Sequence, residues 1–308
     1  MAAVSEVGPR LPTTAQVSAI VVTLNSEQWL ERCLSSVAGA GEIIVVDHGS
    51  TDRTLELVRD RFPHARVLEQ ENRGFGAGMN AGMRAASGRY FLLLNADAWA
   101  TGDALERLVE FADAHPEAAV VGPLLRYPDG RLQPSVRGFP TLWRLATEYL
   151  FLRKLAPRSR ALNAFHGGGF DYREPAEVEW VGGAVLLVRR DATDAVGLFD
   201  ERFFMFSEEV DWCYRFRAAG WKVLFFPGAE FVHVGGASHG TVLRGELVLA
   251  ILRFLAKHKG IREAERARRL LVPTLRLRGL LFRGERGRSY HDAARRLASG
   301  SAATLLDR

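Results

Sequence analysis

Asp97 closes an apolar run, Leu92-Leu93-Leu94-Asn95-Ala96-Asp97, and a carboxylate there needs a cation or hydrogen-bond donors to compensate it. Metal or ligand binding is the chemistry it suggests; the competing reading makes Asp97 or Thr101 the cap of a helix opening at 103. Asp47 ends a second apolar run, Glu42-Ile43-Ile44-Val45-Val46, so the two carboxylates are expected to face one crevice. Glu208, Glu209 and Asp211 form an acidic cluster among Phe204, Phe206 and Trp212. Partial burial there would raise a carboxyl pKa and suit a general base, whereas a solvated acidic helix start is the plainer alternative. On a helix Glu208 and Asp211 share a face and Glu209 points elsewhere. His233, followed by Gly235, Gly236 and Ser238, is either a core histidine or, paired with Asp97, a ligand of a divalent ion. The turn Asn72-Arg73-Gly74-Phe75-Gly76-Ala77-Gly78-Met79-Asn80 offers free N–H groups to a phosphate, and Arg73 can pair with a diphosphate; close helix-sheet packing explains the same glycines.

Strands are expected over 17–24, 42–46 and 66–69, then in the run that stops at Asp97, and again over 118–122. Helices are expected over 27–37, from 55, from the glycine turn to about 87, and over 103–114; Asn25, with Gln28 three residues on, reads as an N-cap. This alternation predicts an α/β fold with a mostly parallel sheet. Residues 126–178 read as irregular structure around a helix over 142–152. A second block then opens at Val178 and runs through Gly182 and Gly183 to Val188, followed by a helix to 219 and a strand over 222–226. The expected division is a tail over 1–15, a catalytic domain over 16–240 with halves 16–125 and 126–240, and a basic helical region over 241–308.

With 308 residues and 47% hydrophobic content the chain can bury a large core, which excludes disorder throughout. Its two cysteines, Cys33 and Cys213, match no metal spacing and argue against a disulfide scaffold. Residues 1–6 lack the basic-then-apolar pattern of a secretory leader and no apolar run reaches the length of a bilayer span, so a cytoplasmic protein is expected. A net charge of +5 fits an anionic partner. In the C-terminal region Leu247, Val248, Ile251, Leu252, Phe254 and Leu255 make an apolar face, and arginines alternate with leucines beyond it. The pattern suits an anionic membrane surface; ordinary core packing with a solvated or dimer-forming basic face is the alternative. Pro273 predicts two or three short helices here.

Thr23-Leu24-Asn25, Val46-Asp47-His48-Gly49-Ser50-Thr51-Asp52, Asn72-Arg73-Gly74-Phe75-Gly76, Leu94-Asn95-Ala96-Asp97, Gly183-Ala184, Phe204 to Asp211 and His233-Val234-Gly235-Gly236 occur together in an order that resembles family 2 inverting glycosyltransferases of the GT-A fold. Within that family the chain is similar to the rhamnosyltransferase-like branch of cell-wall and polysaccharide enzymes. The resemblance implies a GT-A fold with a C-terminal helical extension. It implies that Asp47 contacts the nucleotide base, Asn95 the ribose and Asp97 a divalent cation, Mg²⁺ or Mn²⁺, whose site His233 completes. Arg73 and Gly74 would lie near the diphosphate, and Thr23, Asn25, Asn80 and Gly183 would line the nucleotide-sugar site. Three departures stand out: Asn precedes Ala-Asp in the metal motif, His48 replaces Asn or Asp, and Glu209 stands where the family has its Asp base, which leaves Glu208 and Asp211 open for that role.

The expected function is transfer of a hexose, rhamnose from dTDP-rhamnose in the first instance and otherwise a UDP-sugar, to a glycan or lipid-linked hydroxyl. No nucleic-acid partner is expected; peripheral contact with the inner face of the cell membrane and a homodimer are. A nucleotide-sugar or polysaccharide binding protein without turnover is the alternative, and a nicotinamide-dependent enzyme ranks third because the first strand lacks the required glycine turn.

Overall fold

The structure is a computed structural model that describes residues 13–156, 159–163, 165, 167–235 and 244–305. In chain order β1 (Val17–Thr23), α1 (Glu27–Ser36), β2 (Glu42–Asp47), α2 (Thr54–Arg61), β3 (Arg66–Glu69), α3 (Phe75–Ala85) and β4 (Tyr90–Asn95) alternate strand with helix. Next come β5 (Ala98–Ala100), α4 (Ala104–Ala114), β6 (Ala118–Arg126), β7 (Val136–Arg137), α5 (Leu142–Tyr149) and α6 (Arg160–Asn163). The chain continues through β8 (Ala176–Glu177), β9 (Trp180–Val181), β10 (Val185–Arg189), α7 (Arg190–Val196), α8 (Glu208–Ala218) and β11 (Lys222–His233). It closes with α9 (Arg244–Lys259), α10 (Ile261–Leu281) and α11 (Gly284–Ala298).

The main sheet has the order β3-β2-β1-β4-β10-β6-β11-β5, with β8 also on β11, while β7 and β9 form a separate pair. Its first half, β3 to β4, is parallel as expected. Beyond β4 it is mixed, because β10 runs antiparallel to both β4 and β6. Val-, Ile- and Leu-rich β1 and β4 are buried on both faces, and successive side chains alternate between two cores. Ile20 and Leu93 enter the core shared with α3, α8 and the C-terminal helices. Ala19, Val21, Leu92 and Leu94 enter the one covered by α1 and α4.

Four local expectations are corrected. Ser26 precedes α1 as its N-cap, whereas Asn25 adopts φ 50° and gives its side-chain oxygen to the Thr51 amide. The tail expected over 1–15 overlaps regular structure: Thr13–Gln16 is a 3-10 turn with Thr14 buried, and residues 1–12 lie outside the described residues. The strand expected over 222–226 continues to His233 past Pro227, with a register shift between Phe226 and Glu230. Finally, α10 runs through Pro273 for 21 residues, its Thr274 hydroxyl donating to the Leu270 and Leu271 carbonyls beside the lost N–H.

The C-terminal helices settle one alternative. Val248, Ile251, Leu252, Phe254 and Leu255 are buried in the core they share with the sheet, so the apolar face of α9 is spent on packing. No described helix is long and apolar enough to cross a membrane.

Candidate active site

β1, β2 and β4 are adjacent and parallel, so their carboxyl ends open on one edge, and Thr23, Asp47 and Asn95 end these three strands. Asp97 follows β4 by two residues, just before β5 turns back to pair with the end of β11. That pairing sets His233 opposite Ala98 and brings a residue 136 positions away onto Asp97. His233 Nε2 lies 3.3 Å from Asp97 Oδ1 and 3.3 Å from Asn95 Nδ2, while its Nδ1 lies 2.8 Å from Gln133 Oε1.

Gln133 orients the ring. Its Oε1 lies 2.8 Å from Nδ1, which leaves Nε2 turned toward a carboxylate oxygen. Burial pushes the Asp97 carboxyl up, but the His233 imidazole and the Gly235 amide outweigh it and hold the group below its ordinary value. Asn95 Oδ1 is buried beside them with no hydrogen-bond partner. An imidazole nitrogen, an ionised carboxylate and an unpaired amide oxygen are a donor set suited to a hard divalent cation. Among the described residues no group of three or more His, Cys, Asp or Glu could hold a metal, so further ligands would come from substrate and water. Asp97 does not cap α4; Asp103 occupies that position.

The acidic cluster divides sharply. Asp211 is fully buried and paired with Arg215, Lys257 and His258 at 2.8, 2.6 and 2.7 Å; these partners outweigh burial and hold its pKa down. Glu208, only 5% exposed, has no partner for Oε2; burial and the neighbouring Glu209 push its carboxyl well up. Glu209 is half-buried, with Oε2 enclosed and unpaired, and burial raises its pKa against the pull of Arg137 and of the Gly183 amide. Gly183 is where these parts meet. A Cβ built there would lie 3.6 Å from the Glu209 carboxyl carbon, and the next residue, Ala184, accepts the Asn95 backbone N–H at 2.9 Å.

Two left-handed residues, Phe206 and Ser207, with φ 68° and 65°, lead into α8, and a bulky aromatic in that region is strained. The same loop receives the glycine turn: the Phe75 amide donates to the Phe204 carbonyl, and a Cβ on Gly74, whose φ is 104°, would strike that oxygen at 2.3 Å. Arg73 is exposed and only loosely paired, 3.6 Å from Glu201. Asn80 is buried, its amide bonded to both backbone groups of Phe199 and to Glu201.

The Asp47 carboxylate is buried and accepts from the Gly49 and Ser50 amides and the Ser50 hydroxyl, which shapes the turn after β2. A cavity of about 500 Å³ opens there, lined by Asp47, His48, Gly49, Ser50, Gln70 and Asn72 among others. His48 Nε2 lies 3.2 Å from Gln70 Nε2, and burial lowers the His48 pKa despite Asp47 beside it. Gly78 makes room for this ring, since a Cβ there would lie 2.6 Å from Nε2. Thr23 Oγ1 is buried without a partner. Gly236 and Ser238 lie outside the described residues.

Gln133, Arg137, Lys257 and His258 are the neighbours that sequence reasoning missed. The first two fall in a stretch without period, and the last two sit at the end of a leucine-rich helix that gives no sign of reaching α8.

A family model described as glycosyl transferase family 2 matches residues 18–170. The N-acetylglucosaminyl-diphospho-decaprenol L-rhamnosyltransferase of Mycobacterium tuberculosis is 35% identical over 240 residues, covering 72% of this chain and 76% of the relative. Among solved structures, GalNAc-T7 with UDP, GalNAc and Mn²⁺ superposes with a TM-score of 0.57 at 17% identity, covering 78% of this chain and 47% of that one. The mannosyltransferase PcManGT of Pyrobaculum calidifontis, in complex with GDP-Man and Mn²⁺, gives 0.54 at 17% identity, covering 94% and 86%. These two share the GT-A fold with the chain. Identity of this extent to the mycobacterial enzyme, together with the family match, shows that the chain is a glycosyltransferase and belongs to glycosyl transferase family 2.

Proposed function

We propose that the chain transfers rhamnose, with inversion, from dTDP-rhamnose to a hydroxyl of a glycan or lipid-linked acceptor in cell-wall or polysaccharide synthesis. One observation carries the reading: a pKa-raised Glu209 carboxyl with one unpaired oxygen packs against Gly183, one residue from the strand contact that leads to Asn95, His233 and Asp97. A base so placed takes a proton from an acceptor hydroxyl as that oxygen attacks the anomeric carbon from the face opposite the departing diphosphate. Asp211 is disfavoured for this task because Arg215, Lys257 and His258 already occupy its carboxylate.

Asp97 and His233 would hold a divalent cation, Mg²⁺ or Mn²⁺, which when bound supplies positive charge against the leaving diphosphate. Arg73, exposed and weakly paired, is free to turn toward the same phosphates. The Asp47 turn and the His48–Gln70 pair would receive the base, and Asn95 the ribose. Rhamnose is supported by the activity named for the mycobacterial relative, and a lipid-linked acceptor by the diphospho-decaprenol in that name. Such an acceptor would have the enzyme work at the cytoplasmic face of a membrane.

Competition calorimetry tests the donor. With Mn²⁺ present, dTDP should displace bound donor at least as well as UDP, and clear preference for UDP would overturn the rhamnosyl assignment. Turnover is tested separately by transfer of labelled sugar to an intact acceptor.

A further inference from the structure

With most of the apolar face of α9 buried, three of the most exposed leucines of the described residues stand at the far end of α10. Leu277, Leu280 and Leu281 stand at i, i+3, i+4 spacing on that helix and are 51%, 76% and 61% exposed. Beside them lies the segment after α5, with Leu150 at 43% and Leu155 at 79% exposure. The two stretches are fastened together. Phe151 and Phe282 have ring centroids 6.3 Å apart, the Arg278 guanidinium sits 4.1 Å from the Phe151 ring, and Arg278 Nε donates to the Tyr149 carbonyl at 3.1 Å. The two stretches that carry these exposed leucines are therefore neighbours, fastened by a buried arginine.

The rim around them is basic. Lys154 lies over Phe151, Arg286 lies over Phe282, and Arg276 and Arg283 flank the leucines on α10 and just beyond it. Among the described residues none of these four forms an ion pair, unlike Arg266, Arg268 and Arg269 earlier on α10, each of which is matched by a glutamate. Apolar side chains backed by unneutralised cations complement a surface that is apolar below and anionic above. We infer that this patch, built from the end of α10 and the segment after α5, docks the enzyme onto an anionic phospholipid bilayer. The leucines enter the acyl boundary and the cations meet the headgroups. The docking surface is independent of the sugar: vesicle binding can fail while transfer to a water-soluble acceptor persists, and the reverse.

The full chain is sedimented with vesicles of phosphatidylcholine containing about one-third phosphatidylglycerol, and with phosphatidylcholine alone, at low salt and at about 1 M salt, where the screening length falls to about 3 Å. Binding is expected for the anionic vesicles at low salt only. The variants Leu280→Gln/Leu281→Gln, Leu155→Gln and Arg283→Gln/Arg286→Gln change exposed side chains, so melting temperature should hold, and each should weaken binding, the double variants by about tenfold or more. Recovery of the unaltered chain in the supernatant with anionic vesicles, or equal binding by all variants, overturns the proposal. So does a concentration-dependent dimer that Leu280→Gln/Leu281→Gln dissolves, since the patch would then be occupied by a second copy.

Discussion

His233 Nε2 and Asp97 Oδ1 face each other at 3.3 Å, the ring oriented from its Nδ1 side by Gln133 and the carboxyl held below its ordinary pKa, so a positive charge belongs between them. The pair joins the two ends of the catalytic fold. Asp97→Ala should abolish metal-dependent nucleotide binding and leave the melting temperature within a few degrees, because the residue caps nothing and sits at the sheet edge. Gln133→Leu should weaken Mn²⁺ binding by about 10- to 100-fold, the usual effect of removing the partner that orients a metal-binding imidazole. Calorimetry of Mn²⁺ with dTDP reads both; unchanged affinity in Asp97→Ala would remove the metal assignment.

Glu209→Gln keeps size and removes basicity, so transfer should fall by roughly two to four orders of magnitude while donor binding survives. Because burial raises the Glu209 pKa above its ordinary 4.5, the acidic limb of the kcat/KM profile should lie above that value, with activity rising as pH rises through it. A limb at or below 4.5 would point to another base.

Glu208 makes a stability prediction with the opposite dependence. Its carboxyl is pushed up in the folded state, so the native chain binds more protons than the unfolded one above pH 4.5, and stability falls as pH rises from there through the folded value. Glu208→Gln should remove that fall and raise the melting temperature at neutral pH. Melting curves across pH that overlay those of the unaltered chain would show that Glu208 has an unseen partner.

Asp211→Asn leaves Arg215, Lys257 and His258 facing a neutral amide, and breaking a buried charge cluster by removing one member costs about 3 kcal/mol or more. Denaturant unfolding should register the loss. Donor affinity measured well below the transition should be kept, whereas selective loss of transfer without loss of stability would return the base role to Asp211.

Gly78→Ala drives a methyl to within 2.6 Å of the His48 ring and should cost about 1–3 kcal/mol as an overpacked contact. Adding His48→Ala vacates the space. Recovery of stability in the double variant locates the strain at this pair; no recovery would assign it to Val22, whose methyl lies 2.8 Å from the same position.

The parallel half of the fold was legible because β1, β2 and β4 are apolar runs ended by polar residues, a pattern that period and turn chemistry dictate. The pairing of Asp97 with His233 could be suspected from residue types, yet the geometry rests on a strand that passes Pro227, and proline argues against strand continuation. Asn80 looked like part of the glycine turn, but nothing local reveals that Phe199, 119 residues away, takes its amide. Asp211 and Glu209 are two positions apart and of one chemical kind. What separates them is Lys257 and His258, contributed by a helix whose sequence speaks only of leucine packing.

The antiparallel β10 has a consequence for how the chain is made. Everything from β3 to β4 can assemble from the first hundred residues, but the free edge of β4 is closed only by Val185–Arg189, and β6 gains neighbours only from β10 and β11. During synthesis a chain grown through residue 170, the last position covered by the family match, still exposes Tyr90–Asn95 as an apolar, unpaired edge open to pairing with another chain. Such a nascent chain is expected to lean on chaperones, and fragments cut to the matched region are expected to aggregate, because the strand that protects β4 comes from residues 185–189, beyond the matched region.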